Sequence, residues 1–133
     1  MSKAKLESLI VQLENYLECW KQFNRYISLA RSKQFNQDDE SQFLEIKSMI
    51  TQELEMLLTA FEGGSPDKEE IHSLLSNAPS IRFMSELSDG SLRGMENQWH
   101  KIFISWQSIL GQLKAQQRQL EANRGFFSRL FGR

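Results

Sequence analysis

Few residues in this chain could make or break bonds or hold a metal, and their spacing decides what they can do. There are two histidines, His72 and His100, and one cysteine, Cys19. His72 follows Glu69 by three positions, which on a helix puts a carboxylate and an imidazole on one face. That is half the motif of a carboxylate-bridged di-metal bundle. Such a centre needs the motif twice and a further glutamate from each of two other helices. His100 has no glutamate three residues before it, since Glu96 stands four before. A di-metal enzyme built on Glu69 and His72 is therefore the least supported reading, and His72 reads as a surface residue. His100, between Trp99 and Lys101, reads as a residue at the border of an apolar stripe. Cys19 lies between Glu18 and Trp20, has no neighbour that would lower a thiol pKa, and reads as a small apolar residue at the core edge. A single cysteine excludes a disulfide framework and a cysteine-based zinc site.

Other ligand-binding patterns fail on their details. Residues 62–66, Glu-Gly-Gly-Ser-Pro, lack both the Gly-Lys-Ser/Thr ending and the preceding strand of a phosphate loop. Asp38, Asp39 and Glu40 lack the alternating ligands and central glycine of a calcium loop. Trp20, Trp99 and Trp106 recur at helical spacing, which marks core residues rather than a cofactor box. Their indole N–H groups are expected to find Gln or Ser on a facing helix. The sequence predicts no catalytic residue, no cofactor and no metal, hence a protein that is not an enzyme.

The elements that position these residues are helical. The chain has 133 residues, a net charge of −1, and only 7 glycines and 2 prolines, too few turn residues for a sheet-rich fold. Its apolar and charged fractions are those of one ordinary globular domain and not of a disordered chain. Leu6, Leu9, Leu13, Tyr16, Trp20, Phe23 and Ile27 step by three and four, and Ile10 and Leu17 widen the stripe, which predicts a long helix over about 2–33. Asp38 or Asp39 is the expected cap of a second helix over about 38–62, with Phe43, Ile46, Ile50, Leu54, Leu57 and Phe61 inward and Gly63-Gly64 as its stop. The short connection makes the first two helices an antiparallel hairpin. Ser65 as cap with Pro66 in the first helical position predicts a short helix over 66–77, ended by Pro79. A second short piece over 80–87 follows, then a break at Asp89-Gly90-Ser91. The last long helix, about 92–122, carries Met95, Trp99, Ile102, Trp106, Ile109, Leu113, Gln116 and Leu120 in the same rhythm, with Gly111 a candidate close crossing.

The fold class that follows is all-α: an up-down helical bundle of three long helices plus one or two short ones, occupying 1–123. The wide stripes of the first and last helices ask for more than one partner each. The short helices supply it, or a homodimer does.

Charge is segregated along the chain. Residues 38–70 carry ten acids and two bases, and residues 98–133 carry six bases and one acid. An acidic second helix lying between basic first and last helices accounts for this. A slightly acidic chain with no basic domain or recognition motif does not predict nucleic-acid binding. With no signal peptide and no apolar run near the ~20 residues a spanning helix needs, the expected compartment is the cytoplasm.

The end of the chain, 124–133, is unlike an ordinary polar terminus. Gly125 is expected to interrupt the helix. Beyond it Phe126, Phe127, Leu130 and Phe131 share one helical face, while Arg124, Arg129 and Arg133 supply charge without an acid. Three roles fit: a tail folded back as a cap on the bundle, a peptide that docks in a protein groove, or an amphipathic anchor at an anionic membrane surface, peripheral rather than spanning. The expected function is a non-catalytic interaction protein, an adaptor or accessory subunit, binding a protein partner through these seven residues.

Overall fold

A computed structural model describes residues 1–61 and 66–131, with the backbone alone at positions 127 and 131. Five helices are described: α1 Lys3–Ser32, α2 Gln37–Ala60, α3 Lys68–Ser76, α4 Ile81–Ser85 and α5 Asp89–Phe131. They form an all-α bundle of three long helices and two short ones.

The centre of the bundle is α1. Twelve of its residues are buried against four on α2, because α5, α2 and α4 all pack on it, while α3 packs on α5. Every residue of its expected stripe is buried, joined by Cys19, Tyr26 and Ala30. The pairs Arg31 with Asp89, Trp99 with Trp20, and Lys114 with Glu14 run in opposite sequence directions, so α1 and α5 are antiparallel. The hairpin with α2 is closed by Phe23 and Phe43, whose ring centroids are 5.5 Å apart, and by Tyr26, which donates to Gln42 at 3.0 Å. On α2 the stripe is narrower than expected: Phe43, Ile50, Leu54 and Leu57 are buried, Ile46 and Phe61 only half so.

The acidic α2 does not lie between α1 and α5, because α1 occupies the middle. Its acids are correspondingly little used by the basic helices. Glu55 pairs with Lys68 of α3, whereas α5 draws its partners from α1 and α3: Lys114 with Glu14, and Lys101 with Glu70. Arg31, in the last turn of α1, bridges Asp89 and Glu96 of α5. These are exposed pairs, each contributing at most about 1 kcal/mol.

Several helix ends differ from expectation. Asn36, not Asp38 or Asp39, caps α2: its side chain accepts from Asp39 N at 2.9 Å while the Asp39 carboxylate accepts from Asn36 N at 3.0 Å. This reciprocal box satisfies two orphan donors and outweighs a single carboxylate one turn later. The third helix starts at Lys68 behind Asp67, whose carboxylate accepts from Glu69 N, so Pro66 precedes the cap instead of occupying the first helical position. The expected stop at Gly63-Gly64 and cap at Ser65 lie outside the described residues. Asp89-Gly90-Ser91 is not a break but the first turn of α5, because the Ser88 hydroxyl accepts from Ser91 N at 3.1 Å. Gly125 does not interrupt α5 either; a helical glycine costs about 1 kcal/mol, which the surrounding helix absorbs. Gly111 is no close crossing, since a Cβ built there meets nothing within 4 Å.

One cap joins elements distant in sequence. The Glu40 carboxylate, in the first turn of α2, accepts from Ile81 N at 2.6 Å and Arg82 N at 3.2 Å, alongside Ser80 Oγ, which accepts from Phe83 N. A carboxylate at this N-terminus both fills donors and meets the positive end of the peptide dipoles. Glu40→Ala is expected to lower the unfolding free energy by about 2 kcal/mol, and Glu40→Gln by less, since an acceptor remains. Urea titration checks both; equal losses would mean that the hydrogen bonds to α4 contribute nothing.

Candidate functional site

The residues with chemical potential are scattered. His72 is half-buried on α3, His100 is exposed on α5 beside the Trp99 ring, and Cys19 is buried on α1. Among the described residues no three His, Cys, Asp or Glu side chains gather as metal ligands. Among the described residues no helix is long and apolar enough to cross a membrane.

The aromatic residues form the core at the α1–α5 interface. Trp20 and Trp106 are fully buried, and the Tyr16 ring meets Trp106 edge-on at 5.3 Å. Trp99 is half-buried, stacks on Phe103 at 4.7 Å and donates its indole N–H to the Trp20 carbonyl at 2.7 Å. The partner is thus backbone, not the expected Gln or Ser. Among the described residues Trp20 Nε1, Trp106 Nε1 and the Tyr16 hydroxyl are buried and make no hydrogen bond of normal geometry, the Tyr16 hydroxyl having the Trp20 indole as its polar neighbour.

Burial drives the Tyr16 hydroxyl far above its ordinary pKa, against the opposing effect of the Trp20 indole and with the Glu53 carboxylate adding to the shift, and raises Tyr26 and Cys19 as well. All three are neutral when protonated, and the folded state holds their protons more tightly than the unfolded chain does. Stability is therefore fully present below their ordinary pKa values and falls as pH rises through about 8.5–10 and beyond. Tyr16→Phe removes the largest of these contributions together with a buried hydroxyl that makes no hydrogen bond of normal geometry among the described residues. It is expected to change stability by less than about 1 kcal/mol at pH 7 and to blunt the alkaline loss. Urea titrations at neutral pH and above pH 10 would compare the two proteins; parallel decline in both would refute the assignment to Tyr16.

The C-terminal end is where the sequence placed the binding residues, and its geometry is distinctive. α5 is 43 residues long and α1 is 30, so at 1.5 Å per residue they span about 65 and 45 Å. Because α5 reaches the start of α1 near Asn123, the turns beyond project past the bundle. From Arg118 onward every residue whose exposure is described is exposed. Phe126 is 54% and Leu130 57% exposed, so the segment does not fold back as a cap. Arg124 and Arg129 are exposed with them and join no ion pair among the described residues. The side chains of Phe127 and Phe131, and Arg133 altogether, lie outside the described residues.

Two shallow grooves flank the place where α5 leaves the bundle. One, of about 240 Å³, is lined by Met1, Ala60, Phe61, Ile109 and Leu113; the other, of about 210 Å³, by Met1, Leu6, Gln116, Leu120 and Asn123. A larger groove of about 480 Å³ lies toward the opposite end of the bundle, between Phe83, Leu87, Gly94 and Met95. Sequence periodicity could not reveal any of them, because each is made where one helix stops short of another.

No family model, curated protein or solved structure matches this chain. The functional reading therefore rests on the geometry of the projecting helix end.

Proposed function

We propose that the chain is a non-catalytic interaction protein of the cytoplasm, an adaptor or accessory subunit, which binds a protein partner through the projecting end of α5. The observation that carries this reading is the continuous helix beyond Asn123 that holds Phe126 and Leu130 in solvent. Large, more than half-exposed apolar side chains on a projecting helix end suit the helix-in-groove mode, in which anchors spaced three and four residues apart enter an apolar cleft. Arg124 borders the apolar face and would select an acidic rim, while Arg129 lies on the side away from it. The same two arginines favour a second reading, in which the helix end lies on an anionic membrane surface.

Co-sedimentation and affinity capture separate the two. The full chain and a 1–123 truncation are spun with anionic and neutral vesicles, and both are used as bait. The proposal expects neither protein to pellet with vesicles, and a discrete protein partner retained by the full chain and lost by the truncation. Pelleting of the full chain alone with anionic vesicles, reversed by salt, would replace it with the membrane reading.

A further inference from the structure

We draw no further inference here: the strongest candidate, the groove of about 480 Å³ between α4 and the start of α5 lined by Phe83, Leu87, Gly94 and Met95, has no charged lining residue to select an occupant, and nothing in the structure shows what covers it.

Discussion

Replacing Trp106 by alanine is expected to lower the unfolding free energy by about 3–5 kcal/mol, the largest single-residue effect anticipated in this protein. Trp106 is fully buried on α5, and the Tyr16 ring of α1 stands edge-on against it. Tyr16 in turn contacts Trp20, and Trp20 contacts Phe23, so the indole is one end of an aromatic row along α1. Truncation loses the transfer free energy of the ring and leaves a cavity that two long antiparallel helices cannot close without bending. Against a typical total of 5–15 kcal/mol this is a large share. Trp106→Phe is expected to cost clearly less, because it keeps most of the volume and removes an indole N–H that has no partner. Urea unfolding followed by far-ultraviolet dichroism measures both. A loss below about 1.5 kcal/mol for the alanine variant would mean the interface repacks far more freely than its geometry implies.

The second large effect separates binding from stability. Deleting residues 124–133 is expected to abolish partner binding while changing the unfolding free energy of the isolated chain by no more than about 0.5 kcal/mol. The deleted part of α5 lies beyond the start of α1, and the groove lining ends at Asn123. Leu113, Ile109 and the aromatic row that hold α5 to the bundle all precede it. Thermal unfolding of the truncated chain beside its affinity capture supplies both readings. A truncation that lowered the midpoint by many degrees would show that the segment braces the fold, and its exposed apolar residues would need another explanation.

How much of this was legible beforehand follows from what is local. The inward faces of α1 and α5 could be read from spacing, because a period of 3.6 residues is a property of each helix alone. Leu13, Trp20 and Ile102 needed no tertiary information. Helix ends were less legible: Asn36, Asp38 and Asp39 are all good caps within four residues, and the choice turned on the reciprocal bonds between Asn36 and Asp39. Gly125 misled, since glycine weakens a helix without forbidding it. The candidate site was legible in composition, as Phe126 and Leu130 with Arg124 and Arg129, but not in placement.

By itself, then, the sequence determined the all-α class, the three long helices and the faces they bury. Tertiary structure decided that α1 rather than α2 lies in the middle, that Glu40 caps α4, and that α5 outruns α1 to leave Leu120, Phe126 and Leu130 in water. The reason is physical: periodicity records which side of a helix avoids solvent, whereas exposure at a given position depends on whether a separate helix extends far enough to cover it.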